Sequence, residues 1–271
     1  MNELVKRIVT GVLFIAVLTG GILWSPFSLA ILFLFCALVG VNEFHGLLKK
    51  GGFGYAGWRT EQVATLVLHV ITFAVFVREE PTEWLWLMPV LLVLLTFQQL
   101  FQNDVRSVQS VGWALLGQIW IALPFALLTA LAHLHGDFDG TTVLGFFILL
   151  WINDTGAYVA GRLLGRHKLA PSISPGKTIE GFIGGVALAL TVAWFMGDWF
   201  TIIERRDWLV IGAIIAVFSN AGDLFESVVK RSCDAKDSGT LLPGHGGILD
   251  RFDGILLSVP IVVAYLHIVN A

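Results

Sequence analysis

The chain of 271 residues carries a formal charge of −3, with 56% hydrophobic and 14% charged side chains and a mean hydropathy of +0.80. Those values exclude an ordinary soluble domain, and the absence of a basic excess leaves no case for a nucleic-acid partner. Apolar runs long enough to cross roughly 30 Å of hydrocarbon recur along the whole chain, so the expected fold is an all-α polytopic integral membrane protein.

In chain order, the runs predict about nine transmembrane helices, near residues 6–24, 27–47, 61–78, 84–101, 108–132, 142–163, 178–198, 208–229 and 252–270, with eight as the alternative count. Ser25-Pro26 breaks the first two, since proline cannot continue a helix. Lys6 and Arg7 before an apolar run also suit a secretory signal, but no small-x-small cleavage site follows, and the first helix is read as uncleaved. Under nine spans almost all Lys and Arg gather on one side, with only Arg78, Arg205 and Arg206 on the other. The positive-inside rule then puts the amino terminus in the cytoplasm and the carboxyl terminus outside.

One transmembrane domain, 1–271, is expected, with residues 1–135 mainly scaffold and 142–271 carrying the catalytic helices and cytoplasmic phosphate-binding loops. Trp24, Trp58, Trp84, Trp86 and Trp199 fall at interfaces, where an indole keeps its ring in lipid and its N–H in water. Cys36 and Cys233 offer neither a disulfide nor a metal pattern. Asn42, Glu43 and His45 lie near the end of span two, and a structural role is preferred there to a functional one.

From residue 150 onward polar residues enter the spans themselves. Span six carries Asn153, Asp154, Thr155 and Tyr158, with Asp154 a pocket residue or metal ligand on one reading and a proton-relay or interhelical group on another. The segment Ser174, Lys177, Thr178 and Glu180, before span seven, cradles a phosphate or merely caps a helix start; it lacks P-loop spacing. In span eight Asp223, Glu226, Ser227 and Lys230 share one helical face, with Asp223 roughly 10 Å inside the cytoplasmic end. A carboxylate at that depth needs a partner or a metal.

The loop that follows is dense in charge and glycine. Lys230, Arg231, Lys236 and Arg251 can neutralise phosphate, Asp237, His245, Gly246 and Gly247 can contact it, and Asp250 and Asp253 can join Asp223 around a hard divalent cation. A solvated basic loop with Asp250 as helix cap is the bland alternative.

The run Ser-x-x-Lys-Arg, four residues, Lys-Asp-x-Gly, then Pro-x-His-Gly-Gly-x-x-Asp-Arg-x-Asp, spanning Ser227 to Asp253, resembles the signature of the phosphatidate cytidylyltransferase (CDP-diacylglycerol synthase) family. The resemblance extends through Asn153-Asp154-Thr155, Ser174 to Gly181 and Gly222-Asp223. It implies transfer of CMP from CTP to phosphatidic acid, giving CDP-diacylglycerol and pyrophosphate for phospholipid synthesis. It also implies Mg²⁺, with a second, monovalent cation such as K⁺ as an open addition, and a bacterial inner membrane with the site facing the cytoplasm. Membrane lipids are expected neighbours, and monomer and homodimer both stay open. The competing readings are a CTP-dependent polyprenol kinase, told apart by its products, and a transporter, which the gathering of charge toward one side disfavours.

Overall fold

A computed structural model of the chain describes residues 3–53, 58–99, 107–241, 244 and 246–269. The apolar runs fold as α1 (Glu3–Trp24), α2 (Pro26–Lys50), α3 (Trp58–Val77), α4 (Leu87–Gln99), α5 (Ser107–Leu116), α6 (Leu123–Leu131), α7 (Gly140–Leu164), α8 (Ile179–Trp199), α9 (Arg205–Ser232) and α10 (Leu249–Val269). Among the described residues seven helical stretches are long and apolar enough to cross a membrane: Pro26–Lys50, Arg59–Val77, Val108–Leu131, Gly140–Leu164, Ile179–Trp199, Arg205–Ser232 and Leu249–Val269. Val9–Trp24 and Thr82–Gln98 are apolar but shorter. This is the build of an integral membrane protein, in which helices satisfy their own backbone groups.

Local chemistry explains several boundaries. Ser25 caps α2 in a reciprocal box with Ser28, each backbone N–H donating to the other's hydroxyl at 3.1 Å and 2.9 Å, and Pro26 occupies the first helical position. The expected span at 84–101 instead opens with a tight 3-10 turn, Thr82–Trp86, closed by the Trp84 N–H on the Pro81 carbonyl at 3.0 Å. The expected span at 108–132 is one helical rod with a wide π turn at Gly117–Ala122 between α5 and α6. Pro124 has no N–H for the carbonyl four residues back, and the Leu123 N–H reaches five back to Gln118.

Between α7 and α8 lies an element that helical periodicity cannot show, an antiparallel hairpin of β1 (Lys168–Ala170) and β2 (Ser174–Thr178). Its turn closes with the Ile173 N–H on the Ala170 carbonyl at 3.2 Å, and Pro171 sits where a preset φ favours a turn. Thr178 then caps α8, its hydroxyl accepting the Gly181 N–H at 3.1 Å.

Two contacts set the positions of the polar helices. α7 and α8 pack through small residues: a Cβ on Gly156 would lie 3.0 Å from the Gly184 carbonyl, and one on Gly185 2.8 Å from Asn153 Oδ1. α9 and α10 approach at Gly222, where a Cβ would stand 2.3 Å from the Asp253 carbonyl oxygen. α10 is itself fixed by Phe252, fully buried, whose ring meets Phe125 at 5.3 Å and Phe147 at 6.1 Å, while Phe33 joins the cluster from α2. Asp250 and Asp253 flank this anchored residue.

Candidate active site

On α9, residues three and four apart lie one above another, and the structure pairs them accordingly. The Ser227 hydroxyl donates to Asp223 Oδ1 at 3.4 Å, and the Lys230 ammonium meets Glu226 Oε2 at 2.5 Å. Across the helix contact at Gly222, Asp223, Glu226 and Asp253 each present an oxygen within 4.8 Å of the other two. Glu226 is 1% exposed, and its Oε1 has no hydrogen-bond partner among the described residues. A buried carboxylate oxygen left without a donor is costly unless a cation fills the space.

Asp250 lines the second cavity beside Asp223 and Asp253, and its carboxylate is engaged by the protein itself. Its Oδ1 accepts from Lys230 at 2.7 Å, and its Oδ2 accepts the Ser238 N–H and hydroxyl, both at 2.9 Å, and the Gly247 N–H at 2.8 Å. With those donors in place Asp250 organises the loop and Glu226, not Asp250, completes the carboxylate trio. Lys230, clamped between Glu226 and Asp250, is a bridge within the protein.

The β hairpin brings the other ammonium group. Lys177, on β2, reaches Asp223 Oδ2 at 2.7 Å and the Asn220 backbone and side-chain oxygens, each at 3.3 Å. This pair divides two cavities of about 400 Å³ each. Asp154, Lys177, Asn220 and Asp223 line both; Tyr158, Arg162 and Thr178 belong to the first, and Ser219, Asp250, Arg251 and Asp253 to the second. One shared ammonium in the partition, Lys177, with a guanidinium on each side, Arg162 and Arg251, suits two phosphate-bearing molecules meeting end to end.

The remaining candidates occupy the surroundings. Asn153 is fully buried and donates to the Ser219 hydroxyl at 3.1 Å, holding α7 to α9 from outside both cavities. Ser174 opens β2 opposite Ala170 and lines neither cavity. Glu180 faces back to the Arg166 and His167 N–H groups at 3.0 Å and 3.2 Å, so it closes the α7 end of the hairpin. Arg231, Lys236 and Asp237 are exposed beyond the cavities, and Arg231 donates to the Ala235 carbonyl at 3.5 Å. Gly246 turns the loop at φ +81°, where a side chain is strained, and a Cβ there would strike Asp250 Oδ2 at 2.5 Å. His245 lies outside the described residues.

A profile of the cytidylyltransferase family matches residues 5–269. The chain belongs to the cytidylyltransferase family. It is 40% identical over 174 residues to the phosphatidate cytidylyltransferase of Bacillus subtilis (strain 168), a match covering 62% of each chain. To that of Staphylococcus haemolyticus (strain JCSC1435) it is 40% identical over 173 residues, 63% of this chain and 64% of the relative. To that of Staphylococcus aureus (strain COL) it is 48% identical over 122 residues, 44% of this chain and 46% of the relative. The matches thus cover somewhat under two thirds of the first two curated relatives and under half of the third.

Within this cytidylyltransferase-family site, sequence reasoning missed Asn220 and Arg162, and it read Glu43 as structural without its partners. Asn220 was visible as a lone amide three residues before Asp223 and therefore on its face. Arg162 counted only as a loop charge, though it follows Tyr158 by four and donates to its hydroxyl at 2.8 Å. Glu43 gave no signal beyond an acid near a span end. It is 8% exposed, lies 3.0 Å from the Ser238 hydroxyl, whose single proton it shares with Asp250, and accepts the Ile248 and Leu249 N–H groups at 2.9 Å and 3.0 Å.

Proposed function

We propose that this chain transfers the cytidylyl group of CTP to phosphatidic acid, forming CDP-diacylglycerol and releasing pyrophosphate. The observation that carries the reading is the Asp223, Glu226 and Asp253 trio beside the second cavity, with a buried Glu226 oxygen that has no partner among the described residues and with Asp223 reaching both cavities. An all-oxygen donor set of this charge suits a hard divalent cation, and Mg²⁺ is the proposed one, held by those three carboxylates. A monovalent cation such as K⁺ beside it belongs to the same proposal. When bound, Mg²⁺ supplies charge neutralisation to the phosphates of the nucleotide.

The chain's own residues supply the rest. A phosphate monoester oxygen of phosphatidate attacks the α-phosphorus of CTP, and the bond from that phosphorus to the bridging oxygen of the β-phosphate breaks. The nucleophile arrives already anionic, so no serine or histidine base is required. What remains is alignment and the neutralisation of spreading negative charge. Lys177, shared by both cavities, sits where the two substrates would meet; Arg162 and Arg251 flank it as phosphate contacts from either side. Asn220 and Asp223 hold the Lys177 ammonium on that line until a phosphate replaces them.

The proposed topology is nine spans, with the amino terminus and the cavity mouths in the cytoplasm and the carboxyl terminus outside. Its support is the charge segregation together with two apolar helices, Val9–Trp24 and Thr82–Gln98, added to the seven longer ones. A bacterial inner membrane is the proposed location. The test is incubation of purified protein with CTP labelled at the α-phosphate, phosphatidate and Mg²⁺. Label in a CDP-lipid with equimolar pyrophosphate is expected; CDP with a phosphorylated lipid, or no turnover, would overturn the proposal.

A further inference from the structure

Glu43 belongs to the half of the chain that reads as scaffold, yet its carboxylate is spent on the other half. Both oxygens reach the start of α10: Oε1 accepts the Ile248 N–H at 2.9 Å, and Oε2 accepts the Leu249 N–H at 3.0 Å. These are amide groups at a helix start, which lack partners within their own helix, and an anion there also meets the favourable end of the helix dipole. α10 thus takes its N-terminal cap from another helix, about two hundred residues away in sequence.

The same carboxylate clasps the loop. Oε2 lies 3.0 Å from the Ser238 hydroxyl, which is also 2.9 Å from Asp250 Oδ2. A Cβ on Gly239 would stand 2.5 Å from Glu43 Oε1, and one on Gly247 2.4 Å from Oε2, so both loop strands are bare where they close over it. The contacts run in series from Glu43 through Ser238 to Asp250, then through Lys230 to Glu226 in the carboxylate trio.

We infer that Glu43 is a positioning residue for the cytidylyl-transfer site: it fixes the start of α10 and the loop over it, and thereby the places of Asp250 and Asp253. It touches neither cavity and acts only through those groups. The inference rests on the proposed reaction for its kinetic consequence, though not for its structural one.

The test uses the full-length protein in lipid nanodiscs, with Glu43→Ala and Glu43→Gln beside the wild type. Hydrogen exchange is followed by mass spectrometry on peptides covering 246–252 and, separately, on peptides from α7 and α8. With Glu43→Ala the 246–252 amides should lose protection while those of α7 and α8 keep theirs. Under saturating CTP and phosphatidate, kcat should fall on the order of 100-fold, because a displacement near 1 Å at a reacting centre has that effect. The Mg²⁺ concentration for half-maximal rate should rise. Glu43→Gln keeps one carbonyl acceptor for these amides and should recover part of both signals.

Unchanged protection at 246–252, or a loss spread equally over α7 and α8, would overturn the inference. So would a Glu43→Ala enzyme with wild-type kcat and wild-type Mg²⁺ dependence. Should the wild type itself form no CDP-lipid, the proposed reaction fails, and the exchange pattern alone decides whether Glu43 positions the loop.

Discussion

Replacing Gly222 by alanine separates the geometry of the site from the stability of the fold. An added Cβ would lie 2.3 Å from the carbonyl oxygen of Asp253 and 3.3 Å from its carbonyl carbon. Ordinary contact between such heavy atoms begins near 3.5 Å, so α9 and α10 must part by roughly 1 Å. The obstacle is backbone, and α10 is pinned beside it by Phe252 in the aromatic core, so no rotamer change relieves the clash. Overpacking of this kind costs about 1–3 kcal/mol. Alanine returns about 1 kcal/mol through its higher helix propensity, leaving a small net loss of stability.

The same 1 Å lies between Asp223 and Asp253, two of the three carboxylates proposed to hold Mg²⁺, and misplacement on that scale lowers turnover on the order of 100-fold. The expected outcome is a protein that melts within several degrees of wild type but forms CDP-lipid on the order of 100 times more slowly. Gly20→Ala is the control, since among the described residues nothing lies within 4 Å of a Cβ there. Labelled CTP and phosphatidate provide the rate, and thermal unfolding in the same detergent provides the stability. A Gly222→Ala enzyme with kcat within about threefold of wild type would refute the argument that the helix contact sets the site.

Four further outcomes follow from particular contacts. Lys177→Ala should abolish most turnover, and Lys177→Arg should restore only part of it, as read from initial rates at saturating CTP, because the ammonium sits at the shared wall of both cavities. Glu226→Gln should raise the Mg²⁺ concentration for half-maximal rate, since it neutralises one member of the trio; an unchanged Mg²⁺ titration would exclude Glu226 as a ligand. Asp139 caps α7, and although burial pushes its carboxyl up, hydrogen bonds from the Thr141 and Thr142 hydroxyls and amides hold it below the usual value. Its contribution is therefore complete above the ordinary aspartate range and is lost as pH falls through the lower folded value; Asp139→Ala should cost about 1 kcal/mol near neutral pH and less in acid, by chemical denaturation. Burial raises the Cys233 thiol, so in a Cys36→Ala background maleimide should label it only after unfolding, as seen by mass shift.

The order of helices was legible because an apolar helix leaves a long, uninterrupted signature, and the face shared by Asp223, Glu226 and Lys230 was legible because helical spacing dictates it. Those rules stop at the ends of each helix. Asp250 and Asp253 also share a face, and that spacing put both at a cation; the structure turns Asp250 to Ser238 and Gly247, partners fixed by the path of a loop. Lys177 reads as part of a helix start, whereas it projects from a hairpin whose turn depends on Pro171. Glu43 is the extreme case, because its partners are those of a buried cap and no local pattern records a cap supplied by another helix.

Charge balance connects these residues. Asp154, Asp223, Glu226, Asp250 and Asp253 are gathered around two ammonium groups, Lys177 and Lys230, and Lys230 is already committed to Glu226 and Asp250. Along the loop Arg231 and Lys236 share a motif with the aspartates; in space those two are exposed, while the carboxylates gather in the interior. A triphosphate approaching this interior alone would meet repulsion from the trio, strengthened where water is scarce. On the proposed reaction, Asp223 would help hold the cation and Lys177 would be free to pass from Asp223 to a phosphate, so cation and nucleotide would enter together or cation first. The acidic partition would then deter a free nucleotide while admitting its metal complex, and on that proposal the excess of carboxylates would select the form of substrate as well as hold the metal.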